Sequence, residues 1–230
     1  MTNSTDTNAS KLIDYISIFN EQFSYDKICE LNKEQKEHYT NLLNEFEMLN
    51  QSTAKNLHNK KGKALEKLVN YLFKISGHLF KVQQNLRTST NEIDDLITLT
   101  PTGRILLTQG LINKRLEIFL GECKNYNKSL SVTYVGKFCS LLLTNNIRLG
   151  ILFSYHGISG SNWNNAAGLI KKFYLHKERE DERFCIINFS IDDFKSILKG
   201  NNLLNIIDKQ LETLRIDTNY AMYLSKHPAE

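Results

Sequence analysis

Two carboxylates and a lysine fall on strand-like segments near the middle of the chain. An apolar run leads into Glu122-Cys123-Lys124, and an acidic, strand-like segment that contains Asp94 precedes it. Because side chains alternate along a strand, Glu122 and Lys124 point to one face and Cys123 to the other. If the two strands are neighbours, the Asp94 carboxylate joins Glu122. The pattern therefore predicts two carboxylates beside an ammonium group.

A site of this kind suits a divalent cation. Mg²⁺ prefers oxygen ligands, so the predicted ligands are Asp94, Glu122 and the backbone carbonyl of Cys123, with Mn²⁺ as a substitute. A bound metal can polarise a phosphodiester and lower the pKa of a bound water. Lys124 is then placed to orient the attacking water or to stabilise the charge on phosphorus. Glu66, on a predicted preceding helix, can complete the metal coordination.

The spacing of Glu122 and Lys124 carries little weight without its context. An acidic residue also stands two positions before Lys36 and before Lys195. Only the occurrence at Lys124 ends an apolar, strand-like run and follows an acidic strand. Asp95 is the rival for the aspartate role, and an ordinary charged strand end is the alternative for the whole group.

Hydrophobic periodicity predicts a mixed α/β fold, with a central sheet covered by helices. Apolar residues first recur at helical spacing, extended segments follow, and helices and strands then alternate. Strands are predicted over 78–86, 92–100, 104–108, 115–124, 149–155 and 184–189. Helices are predicted over 64–73, 166–175, 192–198 and 203–214, with a further amphipathic stripe between Val132 and Leu143.

Residues 1–55 are predicted to form an N-terminal helical extension to one domain over 56–230. An apolar stripe at helical spacing marks its second half, and 24–26 is the expected break between two helices. The stripe consists of Tyr39, Leu42, Leu43, Phe46 and Leu49. A hairpin that packs on the main domain or on a second copy is the favoured interpretation. A regulatory or partner-binding segment is the alternative.

The composition is that of a globular protein with a mild basic bias. The 230 residues are 41% hydrophobic and carry a net charge of +4, which is compatible with a nucleic-acid partner but does not require one. The four cysteines are far apart, which argues against a zinc knuckle or a redox pair. Residues 1–10 lack the pattern of a secretory signal, and the apolar cluster within 131–143 is shorter than a membrane span. We therefore expect a cytoplasmic protein that does not enter a membrane.

Several of these features together resemble the PD-(D/E)xK nuclease superfamily, and most of all the Mrr-type restriction endonuclease domains. The resemblance covers about 56–189 and rests on the helix with Glu66, the strand with Asp94, the end of the next strand at Glu122-Cys123-Lys124, and the following helix and buried strand. It implies a restriction-endonuclease-like fold in which Asp94, Glu122 and Lys124 form the catalytic triad and Glu66 is the helix glutamate. It also implies Mg²⁺-dependent cleavage of DNA, in restriction or antiviral defence.

The chain departs from the family pattern in several respects. No proline precedes Asp94, and Glu122 stands where many Mrr-type domains have glutamine. The long separation between these two residues makes the segment 104–108 an insertion or an extra strand. Because one site cuts one strand, a homodimer is expected from the mechanism. The alternative function is a nuclease-fold module that binds nucleic acid or a partner protein without cutting.

The predicted loop 156–165 and the helix after it hold the expected contacts to nucleic acid. Backbone N–H groups of the loop can cradle a phosphate, and Trp163 can stack on a base. Lys171 and Lys172 can contact phosphates. Each feature also has a plainer interpretation: a surface loop, a packing tryptophan and a solvated helix face.

Overall fold

The fold is built on one mixed sheet of five strands. The computed structural model describes residues 11, 14, 17, 18, 21–54, 56–87, 92–160 and 165–224. The strands are β1 (Phe80–Arg87), β2 (Glu92–Leu99), β3 (Ile118–Cys123), β4 (Leu149–Phe153) and β5 (Cys185–Phe189). They lie side by side in chain order. Strand β2 runs antiparallel to its neighbours β1 and β3, and β3, β4 and β5 are parallel to one another. The prediction of a mixed α/β fold is therefore confirmed.

Helices flank the sheet. They are α1 (Tyr25–Ile28), α2 (Lys33–Gln51), α3 (His58–Ile75), α4 (Pro101–Thr108), α5 (Val132–Asn145), α6 (Ala166–Leu175), α7 (Ile191–Leu198) and α8 (Leu203–Leu224). Short 3₁₀ helices lie at Lys114–Leu116 and Glu180–Glu182. Polar residues fix several helix starts: Asn32 and Ser190 each begin a reciprocal capping box. Within the described residues, no helix combines the length and the apolar character that crossing a membrane requires.

Both faces of the sheet are covered. On one face, Phe73 of α3 packs on Phe119 and Phe153, with ring centroids 5.9 Å apart in each pair. On the other face, Phe138 of α5 lies over Gly150, where any side chain would collide with the ring. The buried residues of both layers belong to one hydrophobic core. The strands between these layers are therefore held in fixed positions, which matters for the side chains at their ends.

The helix α2 belongs to this core. It buries Tyr39, Leu43 and Phe46 and contacts α3 and α7. The Tyr39 hydroxyl donates a hydrogen bond to the Phe194 carbonyl over 3.0 Å, so the buried polar group has a partner. The helical stripe predicted in the second half of the N-terminal extension is confirmed.

The short helix α1 is tied to the last helix of the described chain. The Tyr25 hydroxyl donates to the Asp208 carboxylate over 2.8 Å. The Asp26 carboxylate accepts from the side-chain amides of Asn202 and Asn205, each over 2.8 Å. The first and last parts of the fold are thus joined by side-chain hydrogen bonds.

The break predicted at 24–26 is confirmed at Ser24. Gln22 is helical, Phe23 and Ser24 are not, and Ser24 caps α1, with its side chain accepting from the Lys27 N–H. A second break follows, because the chain leaves the helical conformation after Ile28 and re-enters it at Lys33.

The strand predicted over 104–108 is also wrong, because these residues form most of α4. The Thr100 side chain accepts from the Gly103 N–H, and Pro101 occupies the first turn, which together start a helix. The apolar run after Gly103 resembles a strand in sequence, although Ile105 is 63% exposed. The strand predicted over 115–124 begins later, after a 3₁₀ turn. The connection between β2 and β3 is therefore helical, and the two strands pair with each other.

Candidate active site

The candidate site lies on the paired strands β2 and β3. Asp95 stands opposite Gly121 in their antiparallel register. Opposite residues of such a pair point to the same face, and successive residues along a strand point to opposite faces. Asp94 and Glu122 therefore share one face, whereas Asp95 and Cys123 share the other.

Lys124 joins the two carboxylates of the first face. Its Nζ lies 2.8 Å from Asp94 Oδ2 and 2.9 Å from Glu122 Oε1. The side chains are partly open to solvent, with exposed fractions between 18% for Glu122 and 32% for Asp94. The Lys124 backbone N–H donates to the Phe153 carbonyl of β4 over 2.9 Å, which fixes the lysine just beyond the strand. The structure thus brings together the three residues that the spacing predicts, which we call the triad.

Charges within the triad shift the pKa of two of its members. Burial, and then the neighbouring Asp94 charge, raise the pKa of Glu122 to about 6, while Lys124 opposes the shift. Burial alone would lower the pKa of Lys124, but Glu122 and Asp94 outweigh it and hold that pKa above its usual value. The lysine is therefore a cationic hydrogen-bond donor at neutral pH. A side-chain hydrogen bond with Asp94 adds to the rise in the pKa of Glu122.

Asp95 lies on the opposite face and is 2% exposed. Its carboxylate accepts from Gln84 Nε2 over 3.1 Å and from Cys123 Sγ over 3.7 Å. Burial raises the pKa of Asp95 to about 6, and the Gln84 hydrogen bond opposes this shift. A Cβ on Gly121 would lie 3.2 Å from the Asp95 Cβ, so the glycine makes room for the carboxylate. The structure brings Asp94, and not Asp95, to Glu122 and Lys124.

The neighbouring strand β1 has a local irregularity beside Asp94. Gln84 pairs with Asp95 and Leu86 pairs with Ile93, but Asn85, between them, has φ 53° and forms no pair with Asp94. Asparagine tolerates this left-handed conformation better than most residues. The ladder is therefore interrupted at the residue that carries the candidate aspartate.

Glu66 is on α3, as predicted, but it is exposed. Its charge raises the pKa of Asp95 and of Cys123, which lie on the face that α3 covers. Among the described residues, Glu66 makes no hydrogen bond or ion pair with the triad. It lies near the strands that hold the triad, without joining it.

The triad offers oxygen donors for a hard cation. Asp94 and Glu122 supply two carboxylates, and the Cys123 backbone carbonyl is the predicted third donor. This donor type is the one that Mg²⁺ and Mn²⁺ accept. Across the part of the chain that the structure describes, no three His, Cys, Asp or Glu side chains are grouped to hold a metal. Any metal here would thus rely on two side chains, backbone oxygen and water.

The predicted contacts to nucleic acid are not assembled at the triad. Lys171 lines a cavity of about 420 Å³ whose lining includes Asp193 and Gln210 but no member of the triad. Lys172 is exposed on the same helix. Trp163 lies outside the described residues. The nearby loop is nevertheless tied to the segment after Lys124, because the Leu130 N–H donates to the Gly157 carbonyl over 2.8 Å.

Sequence reasoning missed a contact between α3 and the segment after Lys124. Lys61 is 6% exposed, and its Nζ donates to Asn127 Oδ1 over 2.9 Å. Asn125 Nδ2 donates back to the Lys61 carbonyl over 3.2 Å. Lys61 is one of several lysines at the start of α3, so the sequence does not distinguish it from its exposed neighbours. The asparagines that follow Lys124 were the available hint.

Comparison with known proteins gives no relative: no family model, no curated protein and no solved structure matches this chain. The function must therefore be inferred from the geometry of the triad and its surroundings.

Proposed function

We propose that this chain is a Mg²⁺-dependent nuclease of restriction-endonuclease-like fold that hydrolyses phosphodiester bonds in DNA. The observation that carries this proposal is the position of Lys124 Nζ, within hydrogen-bonding distance of both Asp94 and Glu122 on one face of a mixed sheet. The order of α3, β1, β2, β3, α5 and β4 supports the resemblance to the PD-(D/E)xK superfamily, and to Mrr-type domains within it.

The donor set fits the metal that such a reaction requires. Asp94 and Glu122, with the Cys123 carbonyl, would hold Mg²⁺ or Mn²⁺ at a partly exposed position that a phosphodiester can reach. A bound divalent ion neutralises charge on the phosphate and lowers the pKa of a bound water. Glu66 can contribute only through solvent or after a movement of its side chain, since it makes no contact with the triad.

Each protein group then has a separate task. Asp94 and Glu122 hold negative charge in place, and at pH values well above 6 Glu122 is ionised. Lys124 is protonated and has N–H groups to donate to the attacking water or to a phosphate oxygen. Its backbone bond to Phe153 keeps the ammonium near the carboxylates. In this reaction water would attack the phosphodiester directly, with assistance from the metal and from the charged side chains, and no covalent protein intermediate would form.

A second candidate function is a module that binds nucleic acid or a partner protein without cutting. The observation that favours it is that the Lys124 ammonium already neutralises the Asp94 and Glu122 carboxylates over 2.8 and 2.9 Å. This arrangement of one ammonium and two carboxylates does not need a metal. Binding without cleavage would distinguish this function from the nuclease.

Plasmid cleavage tests the proposed nuclease. The purified full chain is incubated with supercoiled plasmid in Mg²⁺, Mn²⁺ or EDTA, and nicked and linear products are measured over time. We expect both products in Mg²⁺ and in Mn²⁺, and none in EDTA. Lys124→Met should lower the rate at least about a hundredfold, because it removes the charged donor from the reacting centre. Light scattering of the same sample tests the expected homodimer.

The matched control is Lys74→Met. Lys74 is an exposed lysine in the last turn of α3, so its loss should leave the rate unchanged. Cleavage in EDTA, or undiminished cleavage by Lys124→Met, would contradict the proposed mechanism. Retarded migration of a DNA duplex with no cleavage in either metal would favour the binding module.

A further inference from the structure

The start of α3 holds a lysine whose burial the proposed reaction does not explain. Lys61 is 6% exposed, although lysines are rarely buried unless they are paired. Within the described residues no carboxylate lies within ion-pairing distance of its Nζ. Its hydrogen-bond partner is the neutral side chain of Asn127. Removing an ammonium group from water without a charged partner costs free energy. Packing alone therefore does not account for a lysine at this position.

We infer that Lys61 is a positioning residue for Lys124, which it holds in place through Asn125 and Asn127. This inference rests on the proposed nuclease function, because it assigns Lys61 a role in the geometry of that site. The three residues Lys61, Asn125 and Asn127 are called the clamp below.

Two hydrogen bonds of opposite direction make the clamp. The Lys61 ammonium donates to Asn127 Oδ1 over 2.9 Å, and Asn125 Nδ2 donates to the Lys61 carbonyl over 3.2 Å. Side chain and backbone of one lysine are thus both bound to the segment directly after Lys124. A single hydrogen bond would leave this segment free to pivot, whereas two fix its direction.

The clamp complements the bond on the other side of Lys124. The Lys124 N–H is bound to the Phe153 carbonyl of β4, and the residues that follow it are bound to α3. The lysine has therefore left the strand but is held between a strand and a helix. Its Nζ must remain near 3 Å from two separate carboxylates, and reacting groups lose much of their effect when displaced by about an ångström.

Burial decides between positioning and direct contact with the substrate. A lysine that binds a phosphate of DNA must present its ammonium to solvent, as exposed phosphate-binding lysines do. Lys61 is 6% exposed, so a phosphate cannot reach it in this structure. Lys61 therefore acts through Lys124.

Steady-state cleavage by clamp variants tests this assignment. Lys61→Met keeps the length of the side chain and removes the ammonium, and Asn127→Ala removes the acceptor. Each should lower kcat at least about tenfold and leave KM within about twofold, because substrate binding does not use the clamp. The double variant should be no slower than the slower single variant, since both changes break one interaction. Asn127→Asp keeps an acceptor for Lys61 and should restore kcat to within about threefold of the native value.

The control is again Lys74→Met, at the opposite end of α3, with kcat unchanged. All assays are made well below the melting temperature of each variant, so that loss of folded protein does not lower kcat. An unchanged kcat in Lys61→Met, or effects of the two single changes that multiply in the double variant, would overturn the clamp.

Hydrogen exchange separates failure of the clamp from failure of the proposed nuclease. If the native chain does not cleave DNA, the nuclease proposal fails, and the clamp is judged by exchange in peptides that cover 121–130. Faster exchange there in Lys61→Met and in Asn127→Ala, but not in Lys74→Met, supports the clamp. Exchange equal to that of the native chain overturns it.

Discussion

Asp94 and Asp95 are neighbours in sequence and have the same side chain, yet the sheet places them in opposite environments. Asp94 faces the Lys124 ammonium at 2.8 Å and is about one-third exposed. Asp95 is 2% exposed and is held by the neutral side chains of Gln84 and Cys123. One face of β2 thus provides a charged partner and access to solvent, and the other provides neither. Strand alternation and the choice of partner, rather than residue type, determine which aspartate is available for chemistry.

The comparison also shows how a carboxylate can be buried without a counter-charge. On the Asp94 face one ammonium lies between two carboxylates, and the pKa of Glu122 still rises to about 6. On the Asp95 face neutral hydrogen bonds compensate only in part, and the pKa of Asp95 rises to about 6. The Asp94 face is suited to binding charged groups. On the Asp95 face an ionised carboxylate is unfavourable, because it lies in the core without a counter-charge.

The largest expected effect distinguishes the two aspartates by activity. Asp94→Asn should lower the rate of Mg²⁺-dependent plasmid cleavage at least about a hundredfold, because it removes a metal ligand and a partner of Lys124. Asp95→Asn is the matched control, one residue along the same strand, and should cleave within about threefold of the native rate. Equal losses in the two variants would contradict the assignment of Asp94 to the site.

The next effect distinguishes the two aspartates by how the free energy of unfolding depends on pH. The pKa of Asp95 is about 6 in the folded chain and 3.8 as its ordinary value, so the folded state binds more protons between these limits. The corresponding stability is fully present below about pH 4 and is lost as pH rises through 6. The complete loss from this group is about 3 kcal/mol in the free energy of unfolding, of which about 2 kcal/mol falls between pH 4.5 and pH 7.5.

Urea unfolding at pH 4.5 and at pH 7.5 measures this loss. Asp95→Asn cannot ionise, so its unfolding free energy should fall about 2 kcal/mol less over that interval than that of the native chain. The same fall in both proteins would mean that the buried carboxylate does not hold the raised pKa.

The smallest expected effect concerns the strand beside Asp94. Asn85 has φ 53°, a conformation that glycine adopts without strain and β-branched residues strongly avoid. Asn85→Gly should change the free energy of unfolding by about 0.5 kcal/mol or less, and Asn85→Val should lower it by about 1 to 2 kcal/mol. Thermal and urea unfolding measure both. A Val variant as stable as the native chain would show that the left-handed residue beside Asp94 is not required.

Hydrophobic periodicity predicted most of the sheet, because the buried face of a strand or helix requires apolar residues at regular spacing in the sequence. The strand over Leu149–Phe153, buried at every position, follows from an apolar run, and α6 from helical spacing. The strand prediction over 104–108 was wrong because the apolar residues there resemble those of a strand. The helix that forms instead starts from a capping threonine, Thr100, and from Pro101 in its first turn. Local apolar content outweighed the start signal in the prediction.

The triad was predictable for a related reason, since Glu122 and Lys124 are two positions apart on one strand. Their partnership with Asp94 required that the strands predicted over 92–100 and 115–124 pair, although a strand was also predicted between them. The contact of Lys61 with Asn127 joins residues 66 positions apart through the packing of a helix on a loop. No periodicity records such a contact, and the position of Glu66 relative to the triad depends on the same packing.

The bonds between α1 and α8 constrain the order in which the chain becomes fixed during synthesis. Tyr25 and Asp208 are 183 residues apart, and Asp26 and Asn205 are 179 apart. At typical rates of translation, α1 leaves the ribosome roughly ten to forty seconds before its partners exist. During that interval these side-chain hydrogen bonds cannot hold the helix. Helix α1 is therefore among the last elements of the described chain to gain its side-chain partners.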